Sequence, residues 1–204
     1  MARYVGPKAR VSRRLGTNIW GTARETRALD RRPYPPGDHG RSRRRNQSEY
    51  LVQLQEKQKA RYTYGVLEKQ FRRYYQEATR LRGVTGEVLL QLLECRLDNV
   101  VYRAGWAATR PQARQFVNHG HVNVNGRRVD IPSYRVRAGD VIVLRFMARD
   151  MVQARWNLDV LDRLPPGWRS SGDGGMQMTV AELPSRDQID VPVREQLIVE
   201  LYSK

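Results

Sequence analysis

Thr109-Arg110-Pro111-Gln112-Ala113-Arg114-Gln115-Phe116-Val117-Asn118-His119-Gly120 runs directly into His121-Val122-Asn123-Val124-Asn125-Gly126-Arg127-Arg128-Val129-Asp130-Ile131. The first half has the marks of a short helix. Thr109 can cap the free amides of the first turn, Ala113, Phe116 and Val117 share one face, and His119-Gly120 ends it. The period then changes from helical to twofold. Val122 and Val124 alternate with polar residues, Asn125-Gly126 is the strongest two-residue hairpin signal, and residues 127–131 alternate back. Pro132 stops the returning strand, Val136 opens a short extended piece, Ala138-Gly139-Asp140 turns, and residues 141–146 read as a buried strand. Arg110 and Arg114 lie one turn apart on the flank of the helix, and Arg127 and Arg128 lie on the hairpin.

Working outward toward the amino end, residues 87–104 predict one helix with Leu93, Leu97, Val100, Val101 and Ala104 along a single stripe. Arg96 and Arg103, seven apart, fall on its flank. Two short helices followed by a small antiparallel sheet make residues 94–147 a compact α+β module. Before it, Ser48 caps a helix that reaches Tyr62, and Tyr64-Gly65 breaks it. The next helix places Leu67, Phe71, Tyr74, Tyr75 and Ala78 on one stripe. Lys69, Arg72, Arg73 and Arg80 fall about 180° away, at about 100° per residue. A merely solvated face usually mixes signs; here only Glu68 and Glu77 dilute it, which favours a face that tracks a phosphate backbone.

Residues 1–47 show no period. Gly6-Pro7, Pro33, Pro35-Pro36-Gly37 and Gly40 recur, and Arg41-Ser42-Arg43-Arg44-Arg45 closes the stretch. It is expected to be an irregular basic extension that orders on a partner, the alternative being a solvated disordered tail. Past the module, residues 148–189 are weakly patterned, with Trp156, Leu158, Val160 and Leu161 suited to a further helix. The end, with Leu197, Ile198, Val199 and Leu201, is apolar enough for residues 190–204 to complete the helical domain of residues 48–93.

Of the 204 residues, 37 are Lys or Arg and 21 Asp or Glu, a formal charge of +16, with 40% hydrophobic residues. Of those 37 cations 32 are Arg, and past residue 147 acids outnumber bases, so the excess sits in the first three quarters. Arg offers a planar fork that matches phosphate oxygens and stacks on bases. The reading is a polyanion binder, with nucleic acid ahead of membrane because no amphipathic anchor stands out. The longest apolar run, Val141 to Leu144, is far short of the roughly 20 residues that span a bilayer. No apolar stretch follows the first residues, so no signal peptide is expected. A single cysteine, Cys95, excludes an intrachain disulfide and a cysteine-rich zinc site and fits a reducing cytoplasm.

The string Arg96-Leu97-Asp98-Asn99-Val100-Val101-Tyr102-Arg103, then Thr109-Arg110-x-x-Ala113-Arg114-Gln115-x-Val117 and His119-Gly120-His121-Val122-x-Val124-Asn125-Gly126, resembles the RNA-binding module named after ribosomal protein S-four. Ile131-Pro132-Ser133-Tyr134 and Gly139-Asp140-x-Ile142 complete it. Pseudouridine synthases, some tRNA synthetases and heat-shock proteins carry the same module. The remainder narrows the likeness. Met1-Ala2-Arg3-Tyr4-x-Gly6-Pro7-Lys8, Ser12-Arg13-Arg14, Pro36-Gly37-x-His39-Gly40, Glu56-Lys57-Gln58-Lys59, Tyr64 to Phe71 and Leu197 to Lys204 resemble the bacterial S-four family of the small ribosomal subunit.

The resemblance implies an α+β fold, a mainly helical domain with an inserted small RNA-binding module, preceded by an irregular basic amino-terminal segment. It implies a primary binder of 16S-type ribosomal RNA that docks at a multi-helix junction and nucleates assembly of the subunit body. It further implies a part in translational accuracy, ribosomal proteins S-five and S-twelve as neighbours, messenger RNA close to where it enters, and in some members repression of the protein's own operon. The RNA-facing set is expected to include Arg3, Lys8, Arg13, Arg14, Lys57, Lys69, Arg72, Arg73, Arg80, Arg96, Arg103, Arg110, Arg114, His119, His121, Arg127 and Arg128. Arg43, Arg44 and Arg45 correspond by position to the family's basic cluster near incoming messenger. Some members bind zinc through four amino-terminal cysteines; this segment has none, and His39, His119 and His121 do not supply a ligand set, so no metal or cofactor is expected. The rival reading, an RNA-modifying enzyme that borrows the module, lacks room for a catalytic domain and shows no phosphate loop, nucleophilic triad or carboxylate pair. Asp98 reads as an ion-pair partner of Arg96, and Cys95 as a small helix residue.

Overall fold

The protein is described from a computed structural model, in which residues 4–42, 47–161 and 167–203 are placed. The described residues form ten α-helices and one antiparallel five-stranded sheet, a mainly helical α+β fold. The chain divides into two compact units, residues 1–86 with 191–204, and residues 87–190.

The first unit contains α1 (Lys8–Leu15), α2 (Ala23–Arg31), α3 (Glu49–Thr63), α4 (Glu68–Ala78) and, from the carboxyl end, α10 (Glu195–Ser203). Ser48 caps α3 by accepting the Leu51 amide at 3.3 Å. Phe71 and Ala78 of α4 are buried, Tyr74 and Tyr75 half-buried, and Leu67 stays exposed because it is the extended residue ahead of the first turn. α10 packs on α3 and is tied by several polar links. The Gln53 amide donates to Glu200 at 3.0 Å, the Arg194 amide to Glu56 at 3.0 Å, and the Tyr202 hydroxyl to Glu68 Oε1 at 2.8 Å. The Tyr202 ring stacks on Tyr75 at 4.6 Å.

The amino-terminal stretch is not the irregular segment its sequence predicts: α1 and α2 are regular helices that pack together. Their core is only Val11, Leu15 and Ile19, closed by Trp20 and by Tyr62 from α3. Tyr4 stacks on Trp20 at 6.1 Å and meets Tyr62 edge-on at 5.2 Å. So small an apolar set leaves no readable period, and half of its cover comes from a distant helix.

The second unit holds most of α5 (Thr85–Glu94), then α6 (Leu97–Arg103), α7 (Arg110–Asn118), β1 (Val122–Val124), β2 (Arg127–Arg128), β3 (Val141–Leu144), α8 (Phe146–Arg149), α9 (Val152–Leu161), β4 (Arg169–Gly172) and β5 (Gln177–Val180). The strand order is β2-β1-β3-β5-β4. Asn125 and Gly126, with φ of 50° and 77°, make the two-residue turn, and Val124 pairs with Arg127 across it. The Asn125 side chain pins the turn to β3, donating to Asp140 at 2.8 Å and accepting the Val141 amide at 2.9 Å. The core beneath the sheet includes Leu97, Val100, Val101, Trp106, Ala113, Phe116, Val117, Val122, Ile142, Leu144 and Trp168.

Two expectations for this unit need correction. The single helix predicted over 87–104 is two helices, α5 and α6. Arg96 between them is extended (φ −72°, ψ 135°) and bridges Arg135. The Val136 amide donates to the Cys95 carbonyl and the Leu97 amide to the Tyr134 carbonyl, both at 2.9 Å. Backbone pairing to a segment distant in sequence thus outweighs a local helical pattern. Second, the weakly patterned 148–189 is largely ordered: it supplies α8, α9 and two strands that extend the sheet beyond β3. The returning hairpin strand is shorter than predicted, two residues, with one further amide bond from Val129 to Val122.

Candidate nucleic-acid interface

The cations of the second unit fall into two classes. In the first, a guanidinium is already engaged inside the fold, by an acid or, for Arg110, by an amide oxygen and an aromatic ring. Arg96, 4% exposed, donates twice to Asp98, Nε at 3.0 Å and Nη2 at 2.6 Å, and Asp98 is itself 4% exposed. Arg114 of α7 approaches the same carboxylate at 3.5 Å. Arg103 makes a bidentate pair with the buried Glu94, at 3.1 and 2.9 Å, and the Asn99 amide nitrogen donates to Glu94 Oε2 at 2.7 Å. Arg110 donates to Asn99 Oδ1 at 2.8 Å and lies 4.4 Å from the centre of the Tyr102 ring. This network holds α6 to α7, and Thr109 fixes the start of α7 by accepting the Gln112 amide at 3.4 Å. Arg169 on β4 sits beside it: burial and the neighbouring Arg103 push its guanidinium pKa down to about 9, with Glu94 opposing them.

The second class is gathered where α7 passes into β1. His119 and His121 meet edge-on at 5.8 Å, and His121 meets Phe116 in the same way at 5.7 Å. Gly120 between them has φ of +70°, and its Cα lies so close under the Arg128 guanidinium that a Cβ there would collide with it. Arg145, just after β3, donates to the Gly120 carbonyl at 3.1 Å. Burial lowers the His121 pKa, and His119, Arg145 and Arg128 lower it further by charge. The result is two guanidiniums and two imidazoles around one backbone turn. Arg127 and Arg128 are exposed, as are Arg145 and His119. Such a cluster can chelate phosphate oxygens and present imidazole faces to bases.

In the first unit, Lys69, Arg72 and Arg73 stand on the exposed side of α4, and Arg80 in the turn after it is exposed as well. Glu68, the acid nearest in sequence, is taken up elsewhere: it receives Lys57 at 2.9 Å, Arg61 at 3.3 Å and the Tyr202 hydroxyl. Burial alone would raise the Glu68 pKa, but these bonds and charges outweigh it and hold the pKa below the ordinary value.

Two family models match successive parts of the chain. The family model of the ribosomal protein S4/S9 N-terminal domain matches residues 3–94, and that of the S4 domain matches residues 95–142. The small ribosomal subunit protein uS4 of Cutibacterium acnes is 58% identical over the full length of both chains. Those of Corynebacterium ammoniagenes and Mycobacterium avium are each 57% identical, again over the full length of both. The chain belongs to the uS4 family of small ribosomal subunit proteins.

Within this uS4 chain the remaining expected contacts separate further. Lys8 lies over the Trp20 ring at 5.6 Å. Arg13 is an internal strap: its Nε donates to the Arg32 and Tyr34 carbonyls at 3.1 Å each, and it lies over the Tyr34 ring. Arg14 is exposed and donates to Gln58 at 3.0 Å. Lys57 is spent on Glu68 and on the Tyr202 ring. Arg3 and Arg43, Arg44 and Arg45 lie outside the described residues. Arg96 is therefore withdrawn from the flank predicted to face phosphates, and Arg103 is largely withdrawn, because nearby carboxylates already neutralise them. Arg145 is the member that sequence reasoning missed; its place one residue past β3, on a strand paired with β1, was the available signal. Among the described residues no group of three or more His, Cys, Asp or Glu is placed to hold a metal ion, and no helix is long and apolar enough to cross a membrane. The Cys95 thiol is buried, and burial with the adjacent Glu94 charge raises its pKa to about 12, against a small opposing effect of Arg135.

Proposed function

We propose that this uS4 chain is a primary ribosomal-RNA-binding protein. It docks on a multi-helix junction of 16S-type RNA in the cytoplasm, nucleates assembly of the small-subunit body, and contributes to translational accuracy beside ribosomal proteins S-five and S-twelve. It acts as a scaffold and not as an enzyme. The observation that carries the reading is the cluster of His119, His121, Arg128 and Arg145 around Gly120, which no carboxylate among the described residues pairs with, and the exposed row Lys69, Arg72 and Arg73 is a second support. Backbone phosphate contacts position such a protein, and a folded junction is recognised by shape. Arg43, Arg44 and Arg45 are assigned to messenger near its point of entrance, by position in the family alone. Repression of the protein's own operon would use the same surfaces on a messenger fold.

The test is a salt series of binding to naked small-subunit ribosomal RNA, with an unrelated structured RNA of equal length as competitor. Specific binding that survives the competitor, with log K falling by roughly 0.7–0.9 per phosphate neutralised, is expected. Arg127→Gln with Arg128→Gln should reduce that slope by about one and a half to two. Equal affinity for both RNAs would remove the claim that the protein finds its junction unaided. Binding of the operon messenger in the same series, in competition with ribosomal RNA, tests the repressor role.

A further inference from the structure

α9 carries apolar residues on both of its faces. The inner face is spent within the second unit: Ala154 and Asn157 are buried, Leu158 packs against the core beneath the sheet, and the Asn157 amide donates to the Trp106 carbonyl at 3.1 Å. The outer face holds Val152, Trp156 and Val160, which are 82%, 52% and 56% exposed. Spaced four apart, they form one stripe. Val152 and Val160 lie about 40° to either side of Trp156 and about 6 Å from it along the axis. A monomer gains nothing by leaving such a row in water, and a contiguous exposed apolar patch marks a surface that meets a partner.

Two features select a second copy of this chain as the cover. The stripe reads Val-Trp-Val at a spacing of four in either direction, and an isologous dimer needs a self-complementary patch. Two antiparallel copies of α9 with the two-fold axis at Trp156 set Val152 against the partner's Val160 and the two indoles against each other. Charge agrees with this register. Arg155 and Asp159 lie on one flank of the stripe, about 100° and 60° round from Trp156 in the same sense. Reversing the second helix puts the partner's Asp159 about 3 Å along the axis from Arg155, so the seam runs acid, base, base, acid and each arginine has an acid beside it. Within its own chain Arg155 is held by Asp150 in an exposed surface pair, which exchanges at little cost. Past residue 147 acids outnumber bases, so two chains of charge +16 meet here where each is least cationic. RNA is a poor cover for the same reason. The stripe offers about 300–400 Å² of apolar surface per copy, widened by Gln153, Arg155 and Asp159 toward the about 800 Å² of a standard interface, and a weak association in roughly the micromolar range is expected.

We propose that the outer face of α9 is a homodimer interface of the free protein, in which the Val152–Trp156–Val160 stripes of two antiparallel copies pack together between Arg155–Asp159 pairs. The inference stands apart from the reading of the chain as a ribosomal-RNA binder, since it uses none of the cations assigned to RNA.

The experiment is sedimentation velocity of the full chain without RNA, from about 1 to about 300 µM, which brackets a micromolar constant. Salt is held at about 0.15 M, where a screening length of about 8 Å mutes the long-range repulsion of two basic chains. The parent should sediment faster as concentration rises. Trp156→Gln should weaken self-association at least about tenfold, with its thermal midpoint unmoved because the indole is exposed and Gln keeps helix propensity. Arg155→Glu makes the seam wholly acidic and Asp159→Lys makes it wholly basic, so each variant alone should associate more weakly than the parent. Mixed in equal amounts, the two give a seam of alternating sign and should associate at least as tightly as the parent. A merely structural effect of either substitution does not produce that rescue. A parent that stays monomeric throughout, self-association that Trp156→Gln leaves unchanged, or a mixture no tighter than its components overturns the interface. In the RNA salt series Trp156→Gln should match the parent in affinity and slope. Lost RNA affinity in that variant beside a monomeric parent would give the face to RNA and sink the dimer. The ribosomal-RNA reading itself is decided by the competitor series, whichever way sedimentation falls.

Discussion

Asp98→Ala separates the arginines that build the S4 domain from those that face RNA. The carboxylate receives two bonds from Arg96, at 3.0 and 2.6 Å, the Asn99 amide at 2.9 Å, and stands 3.5 Å from Arg114. Without it Arg96 is left as a buried charge with its acid gone. Breaking a buried pair by deleting one partner costs about 3–5 kcal/mol, against about 0–1 kcal/mol for a surface pair. For a unit the size of residues 87–190, each kcal/mol moves the midpoint by about 4–8 °C, so a drop of at least about 12 °C is expected. Tryptophan fluorescence of the full chain reads it out, since Trp106 and Trp168 are fully buried in this unit. The double variant Arg96→Met/Asp98→Leu should recover most of the loss, because no charge then remains desolvated. Its RNA salt slope should equal the parent's. A cost below about 1 kcal/mol for Asp98→Ala would refute the buried-pair argument. So would an Arg96→Met variant that loses one phosphate of slope with its midpoint unmoved.

Three further outcomes follow from the protonation equilibria. The Glu68 pKa is depressed in the folded protein, so its contribution is complete above the ordinary glutamate pKa and is lost as pH falls through the lower folded value. Tyr202→Phe removes one of its donors and should cost about 1 kcal/mol near neutral pH and less in acid, as measured by urea unfolding at pH 7 and pH 3. The His121 pKa is lowered in the free protein, so protonation opposes folding and stability declines as pH falls below the unfolded histidine value of about 6.5. A phosphate at the cluster reverses that bias, so RNA affinity should rise between pH 7.5 and 5.5 with uptake of a proton, and His121→Gln should flatten the profile; an unchanged profile would place His121 off the interface. Cys95, with its thiol near 12, should resist a thiol-directed reagent at pH 8 until denaturant is added.

What could be read in the sequence was whatever short-range geometry decides. Asn125-Gly126 sets the hairpin because positive φ at both positions is a property of those residues, and the Ser48 cap is a bond across three residues. The break at Arg96 was hidden because its cause is pairing with Arg135, and the apolar stripe runs through it undisturbed. β4, Arg-Ser-Ser-Gly, has no strand signature and is a strand only because β5 offers it an edge. α1 and α2 escaped because Tyr62, far along the chain, supplies part of their cover. For the interface, spacing paired Arg96 with Arg103 and Arg110 with Arg114, but it carries no information on which acid lies opposite. Asp98 takes Arg96 and stands near Arg114, and Glu94 takes Arg103.

This distinction bears on how a charge of +16 becomes affinity. The entropy gained on binding RNA comes from counterions condensed on phosphates and released when a protein cation takes their place. A guanidinium already neutralised inside the fold displaces none unless its carboxylate is first exposed, and for Glu94 and Asp98, both buried, that exposure means unfolding the end of α5 or the start of α6. Arg127, Arg128, Lys69, Arg72 and Arg73 face no such barrier. Substitutions in this chain should therefore sort into two sets with little overlap: those at Arg96 and Arg103 lower the midpoint and leave the salt slope alone, and those on α4 and the hairpin do the reverse. Arg114, 18% exposed at the side chain and 3.5 Å from Asp98, stands between the sets. Its acid is shared with a closer partner, so Arg114→Gln should show a fractional loss in both measurements, and a full loss in either one would assign it to that set.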